Sequence, residues 1–201
     1  QSPRDCLIKI VVGFFSKRYI AGSTRGDAFR VVRALEREGA MATLDILGEF
    51  ITSLDQADAN ARAYVDLVRQ VAAEKFAGAN VSVKLTALGL LLDETRCLEN
   101  MRALLQAAAE TDGFVRIDME DAQCTDATLA IYRTLRAEFP GRVGVVLQAR
   151  LRRTLNDIDA VATEPANFRL CKGIYLEPRA IAYTDAEIIR DNFTLALTQM
   201  F

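Results

Sequence analysis

The sequence predicts an α/β fold of the (β/α)8-barrel type, with about five of the eight units present. Two observations carry this. A short apolar run that closes on a polar residue recurs five times, and an amphipathic helical stripe fills each interval between runs. Strands alternating with helices imply a parallel sheet with helices packed outside it. The polar closing residues fall at Asp45, Lys84, Asp118, Gln148 and Lys172, so the repeats are 39, 34, 30 and 24 residues long. A doubly wound sheet would favour a glycine-rich turn after the first strand, and Asp45-Ile46-Leu47-Gly48-Glu49 is not a GxGxxG.

In chain order, a helix carrying Ala28, Val31, Val32 and Leu35 ends at Gly39, ahead of a strand at Met41–Asp45. The next helix repeats Ala57, Ala61, Tyr64, Val65, Val68 and Ala72 behind Asp55 as its expected N-cap. Val81–Lys84 is the second strand, followed by a stripe of Leu98, Met101, Leu104, Leu105 and Ala108. Phe114–Asp118 is the third, and its helix (Leu129, Tyr132, Leu135, after Thr125) stops at Pro140-Gly141. Val143–Gln148 is the fourth, with Leu155, Ile158 and Val161 running up to Pro165. Phe168–Lys172 is the fifth, and a helix from about Asp185 carries Ile188, Ile189, Phe193, Ala196 and Leu197. A whole barrel takes ~250 residues. The 201 residues are therefore expected to form one domain, cut after about the fifth strand and its helix. Residues 1–40 would be a helical lead-in and 41–201 the five units. Its open sheet edges would favour self-association.

Composition narrows the function. With 25 Lys plus Arg against 27 Asp plus Glu and no basic stripe, the chain is no dedicated nucleic-acid or anionic-membrane binder. It has no histidine, which excludes a Ser-His-Asp triad or a His-rich zinc site from this segment, and no metal site is expected. Cys6, Cys97, Cys124 and Cys171 are too scattered for a metal-ligand spacing and read as buried reduced thiols. The apolar stretch Leu7–Phe15, broken by Lys9, falls short of the ~20 residues that cross a bilayer, and no signal-peptide pattern follows Gln1. A cytoplasmic location is expected.

Polar residues at the strand ends are the candidates for chemistry, because a barrel's active site sits at that face. Lys84, with Ser82 on the same side, could hold a substrate carboxylate, form a Schiff base, or serve a structural ion pair. Arg116 and Asp118 share a face within Phe114–Asp121, where four charged groups in six residues suggest an active-site network. Arg169, Lys172, Gly173 and Tyr175 form a further cluster: a guanidinium, an ammonium, a flexible backbone and a flat ring with a hydroxyl. By spacing alone this cluster means a polar ligand at the mouth.

Six segments in order resemble the proline dehydrogenase family: Arg18–Gly22, Ala42–Glu49, VSVKLTALG at Val81–Gly89, VRIDMED at Val115–Asp121, VVLQA at Val145–Ala149 and RLCKGIYLEP at Arg169–Pro178. The resemblance implies a distorted (β/α)8 barrel with FAD across the strand ends. It implies that Lys84 pairs with the proline carboxylate and that Asp118 is the aspartate near flavin and substrate. Gln148 would bond the pyrimidine side of the isoalloxazine and Arg169 its N5 region. Lys172 and Gly173 would lie along the cofactor, and Tyr175 would pack by the substrate ring. The implied reaction takes a hydride from the proline carbon next to nitrogen to flavin N5, giving Δ1-pyrroline-5-carboxylate. Electrons then pass to a quinone, with peripheral association at an inner membrane. Such a site needs little acid–base work from the protein, so the missing histidine fits.

The chain departs from the family at Arg150, where an aromatic is usual. The family's paired arginines of the last helix and its sixth strand onward are not among these 201 residues, so low activity is expected of the chain alone. Two other readings stand beside this one. One is a Schiff-base aldolase using Lys84 or Lys172, and the other a non-catalytic fragment that pairs its sheet edges with another chain.

Overall fold

The computed structural model describes residues 21–22, 24–48, 51–162 and 166–201. Cys6, Leu7–Phe15, Arg18–Ile20, Glu49 and Pro165 lie outside the described residues. The element order is α1 (Arg25–Arg37), β1 (Ala42–Leu44), α2 (Leu54–Ala73), β2 (Ala79–Val83), α3 (Glu94–Glu110), β3 (Val115–Ile117), α4 (Thr125–Glu138), β4 (Val143–Gln148), α5 (Thr154–Val161), β5 (Phe168–Cys171) and α6 (Ala186–Met200). The sheet order is β1-β2-β3-β4-β5, and the β2–β3, β3–β4 and β4–β5 pairs are parallel.

The described residues belong to two compact units. The first holds the described residues up to Leu44, with Lys75–Ala79. Within it Thr24 caps α1 reciprocally with Asp27. Phe29 meets Phe76 edge-on at 5.6 Å, Arg33 lies over the Phe76 ring, and the Ala42 N–H donates to the Gly78 carbonyl at 2.9 Å.

The second unit, Asp45–Glu74 with Asn80–Phe201, carries the candidate residues. Its helices follow from apolar spacing and caps. Ser53, rather than Asp55, caps α2 by accepting from the Gln56 N–H. A Ser oxygen reaches the third amide as well as an Asp does, and Asp55 sits instead in the first turn, where its charge suits the helix dipole. In α3 the stripe Cys97, Met101, Leu104, Leu105 and Ala108 is fully buried, each leucine worth about 1.5–3 kcal/mol in water-to-core transfer. The Arg96 fork on Asp58 (2.8 and 2.6 Å) ties α3 to α2, but at the surface such a pair adds only about 0–1 kcal/mol. Cys97 and Cys124 are buried free thiols, and burial pushes both up to about 12.

The strands sort their residues by period two. Val81, Val83, Val115, Ile117, Val143, Val145 and Leu147 are buried on one face, and Ser82, Lys84, Arg116, Asp118, Val146 and Gln148 alternate with them on the other, where Ser82, Val146 and Gln148 are buried as well. Parallel pairing aligns that face in rows. Ser82 pairs with Arg116 and Arg116 with Gly144, and Arg116 reaches across Gly144 to Asn167, donating to its carbonyl at 3.0 Å and its Oδ1 at 2.6 Å. Only a residue without a side chain leaves that path open. A Cβ on Gly144 would lie 2.7 Å from the Asn167 carbonyl oxygen and 2.8 Å from the Phe114 ring. Gly144→Ala should therefore cost about 1–3 kcal/mol by overpacking, seen as a lower urea midpoint; an unchanged midpoint would refute the row argument.

Candidate active site

The next row lies at the ends of the strands. Lys84 and Asp118 follow the Val83–Ile117 pair, Val146 follows Val145, and Val146 pairs with Arg169. Asp118 and Arg169 form an ion pair over Val146. The row above holds Gln148, paired in register with Cys171. Lys84, Asp118, Gln148, Arg169, Gly173 and Tyr175 all line one cleft of about 380 Å³, with Met119, Val146, Cys171 and Ile174 as its apolar part.

Six of the seven sequence-predicted residues are thus brought together. Lys172 is not among the residues lining the cleft; its side chain is exposed. The register gives the reason: Cys171 is the partner of Gln148, so Lys172 alternates to the other side of the strand's extension. The charged run Arg116–Asp121 divides its hydrogen bonds among different elements, while Arg169 acts electrostatically on both Arg116 and Asp118. Arg116 serves Asn167, Asp118 serves Arg169, and Glu120 accepts from the Thr86 N–H at 3.0 Å and its hydroxyl at 2.5 Å.

Electrostatics follow burial. Burial pushes the Asp118 carboxyl above its ordinary value, against the lowering pull of Arg169 and Lys84. Burial raises Glu120 as well, opposed by its two bonds from Thr86. Burial depresses the Arg116 guanidinium, with Arg169 adding to the effect. Lys84 Nζ is held by Asp45 Oδ2 at 2.6 Å.

Two polar groups at the cleft are buried without a hydrogen-bond partner: Gln148 Oε1 and Arg169 Nε. Gln148 spends its amide N–H groups on the Met119 and Glu120 carbonyls at 3.0 and 2.8 Å, which fixes its oxygen. Gly173, at φ +96°, lies against that oxygen, and its missing side chain lets the Arg150 stem and the Gln148 oxygen pack close to the backbone there. Arg150 secures the same loop: its N–H donates to the Lys172 carbonyl at 2.9 Å and its guanidinium to the Tyr175 carbonyl at 2.6 Å.

Sequence reasoning did not assign roles to Asp45, Tyr64, Arg150 or Asn167. Asp45 was visible as a polar strand end, but Tyr64 lay on the apolar stripe of α2, where nothing distinguishes a buried ring with a working hydroxyl from plain core.

The proline dehydrogenase family model matches residues 28–189. The chain belongs to the proline dehydrogenase family. It is 39% identical over 170 residues to proline dehydrogenase 1 of Bacillus subtilis, covering 85% of this chain and 56% of that protein. It is 38% identical over 184 residues to the proline dehydrogenase of Deinococcus radiodurans, covering 89% and 58%. The chain thus spans a little over half the length of these curated relatives. Among solved structures it resembles proline utilization A from Bdellovibrio bacteriovorus, inactivated by N-propargylglycine. That match has a TM-score of 0.84 at 24% identity and covers 96% of this chain and 24% of that one. The likeness shows the fold: a family member built on (β/α)8-barrel units, five of which are present here.

Proposed function

We propose that this member of the proline dehydrogenase family contributes the FAD- and proline-binding strand ends of a barrel domain that oxidises L-proline. The carrying observation is the pair of orphaned buried groups at the cleft, the Gln148 oxygen and the Arg169 Nε–H. A buried unsatisfied polar atom is costly, and a ligand that donates to one and accepts from the other removes the cost. A flat heteroaromatic edge such as the isoalloxazine of FAD offers both, and Gly173 lines the same cleft without a side chain.

FAD, when bound, supplies the two-electron acceptor for oxidation of proline to Δ1-pyrroline-5-carboxylate. Lys84 takes the substrate carboxylate by a charge-assisted hydrogen bond. Asp118, whose carboxyl burial raises above its ordinary value and which Arg169 holds in place, faces the same space. Tyr175 and Met119 supply apolar wall for the ring, which excludes water from the reacting carbon. Lys172 is left out of the cofactor set, because its side chain lies away from the cleft. A Schiff-base role for Lys84 fits less well, since an ammonium locked on Asp45 is the non-nucleophilic form.

Electrons would leave to a quinone from a cytoplasmic protein resting on a membrane surface. Among the described residues no helix is long and apolar enough to cross one. β5 pairs only with β4 among the described strands, and its half-buried Phe168 and Leu170 offer an edge for self-association.

An absorbance spectrum of the purified protein, before and after L-proline without oxygen, tests the reading. A flavin band that bleaches is the expected result. A band indifferent to proline would overturn the substrate, and a protein that takes up no FAD would overturn the cofactor.

A further inference from the structure

Lys84 is the residue on which carboxylate recognition turns, and its surroundings are built. Its Nζ donates to one oxygen of Asp45 at 2.6 Å, and the other oxygen accepts from the Tyr64 hydroxyl, also at 2.6 Å. The Tyr64 oxygen in turn accepts from the Ile46 N–H at 3.3 Å. Three separate segments therefore meet: the loop after β1, the middle of α2 and the end of β2. Tyr64 is only 1% exposed, so core packing fixes its hydroxyl, while the Asp45 and Lys84 side chains keep about a fifth of their surface open (23% and 18%). Burial and the neighbouring Asp45 hold the Tyr64 phenol far above its ordinary value, so it remains a donor.

We infer that Tyr64 and Asp45 are positioning residues for Lys84: the buried hydroxyl sets the carboxylate, and the carboxylate pre-orders the ammonium for an incoming substrate carboxylate. This rests on the reading of Lys84 as the carboxylate anchor. A lysine stem loses much rotamer freedom when it is held, and a binding site gains affinity if that loss is met before the ligand arrives. Asp118 does not take this part, because its carboxylate is engaged by Arg169.

The opposite role for Asp45, a competing anion that weakens substrate binding, predicts the opposite sign. Cyclopentanecarboxylate keeps the ring and carboxylate of proline but has no amine to oxidise, so its affinity can be titrated calorimetrically in the FAD-supplemented protein. Lys84→Met should weaken it about a hundredfold, Asp45→Asn about tenfold and Tyr64→Phe a few-fold, with the Asp45→Asn/Tyr64→Phe double variant no worse than Asp45→Asn alone. No loss in Lys84→Met would overturn the anchor reading itself. A loss there with unchanged or tighter binding in Asp45→Asn would overturn the positioning role alone. A second readout needs neither ligand nor flavin: acetylation of Lys84, followed by peptide mass spectrometry with exposed Lys172 as internal reference. Asp45→Asn should speed it about tenfold and Tyr64→Phe less. A rate unchanged in both variants would also overturn the inference.

Discussion

Asp118→Asn is expected to suppress proline-dependent flavin bleaching by about 10²-fold or more while leaving the fold at least as stable as the wild type at neutral pH. The two effects have one cause. Burial raises the folded-state value of this carboxyl above its ordinary one, and the opposing pull of Arg169 and Lys84 does not reverse the direction. A group whose folded value is raised binds its proton more tightly in the folded chain than in the unfolded one. Its stability contribution is fully present below the unfolded carboxylate value and is lost as pH rises through the folded one. At neutral pH the ionised Asp118 is thus a net cost, kept for the site it faces. Asparagine has the same shape and still accepts from Arg169, yet has no proton to lose. Glu120 is raised in the same direction, so the quantity to follow is the difference between variant and wild type. Urea midpoints from mildly acidic to neutral pH should show that difference growing in favour of the variant. A variant weaker by a constant margin at every pH would make Asp118 a structural partner of Arg169 and nothing more.

Much of this arrangement was legible in the sequence, because period-two alternation and parallel pairing leave little freedom. The closing residues Asp45, Lys84, Asp118 and Gln148 do fall at or just past strand ends, and Arg169 and Gly173 share their face. Lys172 stands apart from the other six by register. Gln148 and Lys172 were both read as polar residues closing their strands, but the β4–β5 ladder sets Gln148 opposite Cys171, and a shift of one residue moves a side chain to the other face. The partners of the charged run at Arg116–Asp121 were not legible for a related reason. Adjacent charges on a strand point to different neighbours, and their partners, Asn167, Arg169 and Thr86, lie 34–51 residues away. Tyr64 and Arg150 were illegible because their roles rest on single polar atoms meeting others across the fold, which no local pattern encodes.

Gly173→Ala should abolish flavin retention and cost the fold about 1–3 kcal/mol. Two independent penalties meet at this residue. Its φ of +96° is a conformation that L side chains rarely adopt, and a Cβ there would lie 2.8 and 2.9 Å from Arg150 Cδ and Cγ and 2.9 Å from Gln148 Oε1. The Arg150 contact transmits the change. Once displaced, its guanidinium gives up the Tyr175 carbonyl, and the loop that brings Tyr175 to the cleft loses that tie. The Gln148 contact acts directly, since the methyl group fills the space before the free oxygen read here as a cofactor acceptor. Losing one such bond and the loop that closes on it should weaken flavin binding about 10²-fold. Adding Arg150→Ala to Gly173→Ala separates the two: the double variant should regain part of the stability by removing the clash, yet bind flavin no better, because the methyl still faces Gln148. Urea midpoints and flavin content after gel filtration give both numbers. If the double variant regained flavin along with stability, the cleft in front of Gln148 would not be where the cofactor lies, and the effect of Gly173 would be one of backbone geometry alone.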